Sequence, residues 1–265
     1  MKTPATSPRV LFGAFDRHNF GDLLFPHVMT ALLPGRSFEF AGLVARDLRA
    51  CGGHRVSALG ARLLPASLIH VGGELLTCTA WQAAVMLLDP ADTAAAIAHY
   101  DDDPVAAAEW AAQQLDVSRA IPYVVGREVL APSGRLIFNA VGGVEWAYLT
   151  AARRAEVKMA LGQADWVSVR DHITQSALRA EGLDVPLCPD PAVMVVECCG
   201  EVILEHQQQG AVKEIQDVCP QGYLACQFSG EFADDASLDE LAQGLSRVAA
   251  ATGLGLALFR AGAAP

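Results

Sequence analysis

The chain has 265 residues, of which 52% are hydrophobic, and its 30 acidic and 19 basic side chains give a formal net charge of −11. This apolar content excludes intrinsic disorder, and the negative charge without any run of Lys or Arg argues against a nucleic-acid-binding protein. No apolar stretch has the length of a transmembrane helix, and the first residues lack the basic-then-apolar order of a signal peptide.

Short apolar runs alternate along the chain with Ala- and Leu-rich amphipathic segments. This alternation is typical of βα units around a parallel sheet and predicts a Rossmann-like α/β fold. The predicted strands are residues 10–15, 55–59, 67–71, 121–125, 136–141 and 166–169, and the predicted helices begin near Gly21, Thr79, Asp92, Pro104, Gly143 and Asp171.

The predicted elements divide the chain into two domains. Residues 1–195 form the first Rossmann-like domain, with a helical insertion at 79–117, and 196–220 form a short helix and linker. Residues 221–265 begin a second Rossmann-like domain with a strand at 223–228, a helix at 237–251 and a strand at 254–259. Because these three elements cannot cover both faces of a parallel sheet, either they extend the first sheet or the chain is the front part of a longer protein. We expect the latter.

The seven cysteines are odd in number and scattered along the chain. This pattern favours reduced thiols over a disulfide framework, which together with the lack of an export signal predicts a cytoplasmic protein. No cysteine pair has the spacing of a zinc site, so no metal is expected.

The loop after the first predicted strand is a candidate ligand site, because the carboxyl ends of parallel strands line the crevice of such sheets. It contains His18, Asn19, Gly21 and Asp22, and matches neither the P-loop nor the GxGxxG pattern. Since Asp22 would repel a phosphate, Asn19 and Asp22 are predicted to bind sugar or ribose hydroxyls. The alternative is that Asn19 caps the following helix and Asp22 stabilises its first turn.

A second candidate is Arg170, which follows the predicted strand at 166–169. An arginine at the end of a buried strand is costly unless it is paired or binds a ligand, and its planar fork suits carboxylate or phosphate. Asp171 can cap the next helix, and Asp190 lies in a rigid turn between two prolines. The alternative is a structural pair of Arg170 with Asp171 or Asp190.

Three sequence segments together resemble a known family. They are NFGD at 19–22, VGGE at 71–74 and SVRD at 168–171, the last followed by PDPA at 189–192. In this order they resemble the polysaccharide pyruvyl transferase family, over about residues 8–195. The resemblance implies a glycosyltransferase-B-type architecture, of which the second domain is incomplete in this sequence. It also implies transfer of a pyruvyl group from phosphoenolpyruvate to a sugar hydroxyl of a cell-surface polysaccharide or its precursor, as a pyruvate ketal.

The resemblance also implies roles for particular residues. Arg170 would hold the anionic donor, with Asp171 as a second catalytic residue. The substrate-binding residues would be Asn19, Gly21, Asp22, Gly72, Gly73, Glu74 and Asp190, and His18 is added because it lies in the same first loop and can face the cleft. Where the family more often has glycine, Glu74 is expected to narrow the cleft or repel the donor. A histidine and a basic residue of the family's second domain have no match in this sequence.

No cofactor is expected beside phosphoenolpyruvate as the donor, and the expected partners are this small molecule and a glycan acceptor. The Ala-rich segments are compatible with a homo-oligomer. Two alternatives stay open: a glycosyltransferase that uses a nucleotide-sugar donor, and a non-catalytic ligand-binding descendant. The enzymatic prediction depends on Arg170 facing an open crevice instead of being locked to a neighbour. Of the other histidines, His70 is expected to lie satisfied in the core and His172 to be exposed at a helix start.

Overall fold

The computed structural model describes residues 9–60, 64, 67–227 and 235–262. The parts of the predicted domains at 1–8 and 263–265, and the predicted strand end at 228, lie outside the described residues. The chain divides into two compact units between Val195 and Val196.

In the described part of the first unit, seven strands form one sheet in the order β3-β4-β2-β1-β5-β6-β7. The strands are β1 (Arg9–Phe12), β2 (Phe38–Gly42), β3 (Arg46–Asp47), β4 (Arg55–Ala58), β5 (Ser67–Val71), β6 (Leu136–Val141) and β7 (Trp166–Val169). All neighbours pair in parallel except the short edge strand β3, which is antiparallel to β4. This sheet confirms the predicted Rossmann-like α/β fold. Neither β2 nor β3 was among the predicted strands.

Helices flank this sheet and connect its strands. The helices of the first unit are α1 (Phe20–Leu32), α2 (Ala80–Met86), α3 (Pro90–Tyr100), α4 (Pro104–Leu115), α5 (Ala151–Gly162) and α6 (His172–Ala180). Residues 79–117 hold α2, α3 and α4 between β5 and β6. The acidic run before α4 acts as a helix start, since the Asp103 carboxylate accepts bonds from the backbone N–H groups of Val105 and Ala106.

Each face of the sheet carries its own apolar layer. Along β1, Val10 and Phe12 belong to one buried cluster, whereas Leu11 between them belongs to the other. Successive side chains of a strand point to opposite faces, so a strand buried on both faces has an unbroken apolar sequence. This is why the apolar runs predicted strands at β1 and β5, although β1 ends at Phe12, three residues before the predicted end.

The predicted strand at residues 121–125 is wrong. Ile121 and Val125 are fully buried, but the segment is a turn and not part of the sheet. Its backbone polar groups are satisfied by side chains: the Glu156 carboxylate accepts from the N–H groups of Ala120 and Ile121, and His70 Nε2 accepts from the N–H of Val125. This segment can therefore be buried without forming a strand, because its buried backbone N–H groups find side-chain acceptors in place of a neighbouring strand.

The helix predicted to begin at Gly143 is also misplaced. A short 3-10 turn, Trp146–Tyr148, follows Gly143, and α5 begins only at Ala151 after the N-cap Thr150. The Gly143 N–H donates to Thr174 Oγ1, a bond that ties this loop to α6.

His70 is a satisfied core histidine, as the sequence predicted. The ring stacks on Phe138 with centroids 3.9 Å apart, its Nδ1 is 3.3 Å from the Ile137 carbonyl, and its Nε2 accepts from the Val125 N–H. Burial lowers the pKa of His70 from 6.5 to about 3. The imidazole is therefore neutral in the folded protein at neutral pH.

This shift predicts a loss of stability in acid. Between pH 6.5 and about 3 the unfolded chain binds a proton at His70 that the folded chain does not. The free energy of unfolding therefore falls as pH drops through this window, by roughly 1.4 kcal/mol per pH unit from this residue. Urea unfolding followed by tryptophan fluorescence reports on the first unit, because Trp81, Trp110, Trp146 and Trp166 all lie there.

The variant His70→Gln is the control for this prediction. Glutamine keeps a donor and an acceptor but does not titrate, so its stability should depend less steeply on pH below 6.5 than that of the wild type. Equal slopes for the two proteins would contradict a neutral, buried His70.

The second unit contains α7 (Val195–His206), α8 (Gly210–Val218), β8 (Tyr223–Cys226), α9 (Asp235–Thr252) and β9 (Gly255–Leu258). Two helices thus occupy the segment predicted to be a short helix and linker. In the described residues, β8 and β9 form a separate parallel pair and do not extend the seven-stranded sheet. None of this unit's described side chains is fully buried. In either unit, the described helices are too short or too polar to cross a bilayer.

Candidate functional site

The strand order places a switch point between β1 and β5. From β1 the chain continues to β2 on one side of the sheet, and from β5 it continues to β6 on the other. The loops after β1 and β5 therefore lead to opposite sides of the sheet, and at such a switch point sheets of this kind bind ligands in a crevice at the carboxyl edge. The loops after β6 and β7 begin at the same edge, since these strands are parallel to β5 and end where it ends.

In the loop after β1, Asn19 caps α1 through a bond from the Asp22 N–H to its Oδ1, 3.2 Å long. The capping alternative for Asn19 is thus observed, and its predicted substrate contact stays a prediction. Arg17 donates from Nε and Nη2 to Oδ2 of Asp22, at 2.9 and 2.7 Å. Burial raises the pKa of Asp22, against the opposing effects of the Arg17 and Arg170 charges.

The loop after β5 turns on two glycines in the left-handed region, Gly72 with φ +57° and Gly73 with φ +76°. Side chains rarely adopt this conformation, and a Cβ at Gly72 would also lie 2.5 Å from the ring of Phe25. These glycines therefore serve the turn itself. They place Glu74 at the carboxyl edge and Gly73 near Asp22, whose Oδ1 would lie 3.7 Å from a Cβ added to Gly73.

Glu74 is not the free repelling charge that the sequence predicted. Its Oε1 accepts bonds from Thr77 Oγ1 at 3.0 Å and from the Val144 N–H, and its Oε2 accepts from Nη2 of Arg170 at 3.2 Å. The carboxylate is thus held between two loops and neutralised by the guanidinium.

Arg170 is paired with two protein carboxylates. This corrects the expectation of an unpaired Arg170 in an open crevice, on which the enzymatic prediction depended. Its Nη1 donates to Asp190 Oδ2 at 2.8 Å and its Nη2 to Glu74, while 27% of its side chain stays exposed. The structural pair with Asp190 is therefore observed. An anionic ligand that reaches this guanidinium must compete with two carboxylates.

Asp171 is the N-cap of α6. Its Oδ1 accepts from the Thr174 N–H at 2.7 Å and its Oδ2 from the Thr174 hydroxyl at 2.8 Å. Asp190 returns to the same edge because residues 186–188 run beside β7, with the Val169 N–H donating to the Pro186 carbonyl. Asp190 Oδ1 accepts from the Ala192 N–H, which leaves its Oδ2 for Arg170.

Gly142 is a site residue that the predictions omitted. Its N–H donates to the Gly73 carbonyl at 2.7 Å. A Cβ at this position would overlap the Glu74 carboxylate and lie 2.7 Å from Nε of Arg170. A side chain at position 142 would therefore displace Glu74 or Arg170 from the pairing observed beside the loop after β6.

The sequence also missed a buried group behind the crevice. Asp16 is fully buried and accepts bonds from the N–H groups of Leu43 and Val44 and from the Tyr123 hydroxyl. Cys78 lies close to Asp16, Arg17 and Asp22, and burial raises its pKa to about 12. Its thiol is thus protonated at neutral pH and unsuited to nucleophilic catalysis.

Three predicted residues stay apart from this network. His18 is exposed, and Gly21 is exposed in the first turn of α1. His172 is exposed at the first position of α6, as predicted. The sequence analysis did not predict Arg17 as a site residue. An arginine in a loop that pairs with an aspartate five residues later, in the next helix, forms no recognisable sequence pattern. Across the described residues, no group of three or more His, Cys, Asp or Glu side chains is arranged to hold a metal ion.

The fold and the charged groups at its switch point define a Rossmann-like α/β protein with a polar site at the carboxyl edge of the sheet. A family model, polysaccharide pyruvyl transferase, matches residues 119–251, half of the chain, and the chain belongs to this family. Comparisons with curated proteins and with solved structures gave no significant match.

The match differs in extent from the resemblance noted at residues 8–195. It begins later and continues through most of the second unit. Arg170, Asp171 and Asp190 lie within it, whereas Asn19, Asp22 and the loop of Gly72, Gly73 and Glu74 lie before it.

Proposed function

We propose that this protein transfers a pyruvyl group from phosphoenolpyruvate to a sugar hydroxyl of a cell-surface polysaccharide or its precursor, and so forms a pyruvate ketal. Family membership supports the general activity. The observation that carries the proposal further is the position of Arg170, which lies within the matched region and at the carboxyl edge of the sheet.

In this reaction the donor brings a carboxylate and a phosphate, and both must be held while charge moves between them. A guanidinium offers paired N–H donors to such groups and keeps its charge at any physiological pH. Arg170 supplies this fork, and it is partly exposed between Glu74 and Asp190. When the donor binds, its anionic oxygens would replace at least one of these two carboxylates.

The remaining predicted residues take positioning roles in this proposal. Asp171 orients the start of α6 beside Arg170, and Asn19 orders the first turn of α1. The acceptor sugar would meet the donor at the crevice between the loops after β1 and β5. A glycosyltransferase-B-type pairing of two Rossmann-like domains and a cytoplasmic location belong to the same proposal.

The test is direct incubation of the protein with phosphoenolpyruvate and a panel of glycan acceptors. We expect one phosphate released for each pyruvate ketal formed, measured by a phosphate assay and by the methyl signal of the ketal in proton NMR. Turnover of a nucleotide-sugar donor in place of phosphoenolpyruvate would contradict the proposal and favour a glycosyltransferase. A matched control is Asp165→Asn, because Asp165 pairs with Arg127 and binds the Leu136 N–H at the opposite edge of the sheet.

A further inference from the structure

Most carboxyl groups at the carboxyl edge of the sheet have both oxygens occupied by protein donors. Each oxygen of Glu74, Asp171 and Asp190 accepts at least one bond. The same holds for Asp16 behind them. Neither oxygen of these four groups is therefore left without a protein donor.

Asp22 differs from these four. Both bonds from Arg17 go to Oδ2, and within the described residues no protein donor reaches Oδ1. This oxygen borders Gly73, where even an added Cβ would lie 3.7 Å away. The side chain is also largely buried, with 8% of the residue exposed. A desolvated carboxyl group thus presents one unpaired oxygen beside the glycine turn of the switch point.

We propose that Asp22 is the general acid that protonates the methylene carbon of phosphoenolpyruvate through Oδ1, while Arg17 positions it by holding Oδ2. The role rests on the proposed function. The identity of this acid follows from the bonding pattern: among the buried and half-buried carboxyl groups described at this edge, Asp22 has an oxygen that accepts no protein bond.

The step balances without a cofactor. The Asp22 proton goes to C3 of the donor, the C2–C3 double bond becomes a single bond, and C2 becomes an oxocarbenium centre that a sugar hydroxyl attacks. Phosphate then leaves as the C2–O bond breaks, and a second sugar hydroxyl closes the ketal. The two hydroxyl protons restore Asp22 and accompany the phosphate, so the net reaction consumes no proton and no oxidant.

Burial favours the protonated form of Asp22, and a bound anionic donor adds to this effect. Burial and the Asp190 charge raise the pKa of Asp22, whereas the charges of Arg17 and Arg170 lower it. Cys78 lies nearby as a neutral thiol. An anionic donor placed against Arg170 adds negative charge and screens its guanidinium, and both effects raise the pKa further. A carboxyl group whose pKa is raised by burial suits general acid catalysis.

The decisive variant is Asp22→Asn, which keeps the shape and the acceptor oxygen for Arg17 but has no acidic proton. We expect kcat to fall by about 10²- to 10⁴-fold, with the affinity for phosphoenolpyruvate measured by calorimetry changed by less than about threefold. Wild-type kcat should fall as pH rises through the pKa of Asp22 in the complex, which gives the pH profile of kcat a descending limb. The residual activity of the variant should lack this limb.

The control variants separate chemistry from folding. Asp165→Asn removes a carboxylate of an arginine pair at the opposite edge and should keep the wild-type pH profile. Arg17→Lys should lower kcat and shift the descending limb of the pH profile. The reason is that a lysine ammonium holds Oδ2 of Asp22 less firmly than the two N–H donors of the Arg17 guanidinium. If Asp22→Asn keeps more than about a tenth of kcat with the wild-type profile, the assignment is overturned. It is also overturned if His18→Gln, and not Asp22→Asn, abolishes the limb.

Failure of this role can be told from failure of the proposed function. Wild-type turnover of phosphoenolpyruvate with an unaffected Asp22→Asn variant removes the role of Asp22 alone. A wild-type protein that neither binds nor turns over phosphoenolpyruvate removes both.

Discussion

Replacement of Arg170 by alanine is expected to weaken phosphoenolpyruvate binding by about 10- to 100-fold, the value of one or two charge-assisted hydrogen bonds. Calorimetric titration of wild type and variant with the donor alone measures this change. The variant also leaves Glu74 and Asp190 without their cation, so we expect a modest loss of stability of about 1 kcal/mol, because the three groups are partly exposed. Unchanged donor affinity would exclude Arg170 from the donor site.

The Glu74→Gln variant separates a donor-binding Arg170 from a purely structural one. It removes a negative charge and weakens the hold on Nη2, so the donor should bind several-fold more tightly if it competes with Glu74 for the guanidinium. In a structural triad the same change would only destabilise the fold. A fall in donor affinity would contradict the competition, and would mean that Glu74 holds the guanidinium in its binding orientation.

Replacement of Asp16 by alanine is expected to cost about 3 kcal/mol or more of the free energy of unfolding. It leaves the N–H groups of Leu43 and Val44 and the Tyr123 hydroxyl without their acceptor in a fully buried position. Urea unfolding followed by tryptophan fluorescence measures the loss in the first unit.

Tyr123→Phe is the matched control for this prediction. It removes one of the three bonds to Asp16 without creating a large cavity, so its cost should be near 1 kcal/mol. A loss below about 1 kcal/mol for Asp16→Ala would mean that water or rearranged backbone replaces the carboxylate, against the bonding seen here.

Some site features were predictable because they depend on neighbours in the sequence. Asp171 and Asn19 cap the helices that begin one residue later, and the glycines at 72 and 73 mark a turn directly after an apolar strand. The family motif around Arg170 was predictable for the same reason, since its residues lie within one βα unit. These patterns identified the carboxyl edge as the candidate site.

The partners of those residues were not predictable. Glu74 and Arg170 are 96 positions apart, and Asp16 and Tyr123 are 107 apart. The sequence analysis expected a repelling Glu74 and an unpaired Arg170, and the structure instead joins them directly, beside Gly142, where a Cβ would displace one of them. Which charges neutralise each other depends on strand order, and a single sequence contains no signal for that order.

The sequence by itself determined the α/β class, the strands whose residues are apolar on both faces, the helix caps and the glycine turns. Each of these follows from the conformational preferences of residues within a few positions of one another. Only the tertiary structure decided that 121–125 is a buried turn, that Arg170 is shared by two carboxylates, and that Asp22 keeps one oxygen free. These outcomes depend on which distant donors and acceptors the packed sheet brings within hydrogen-bond distance.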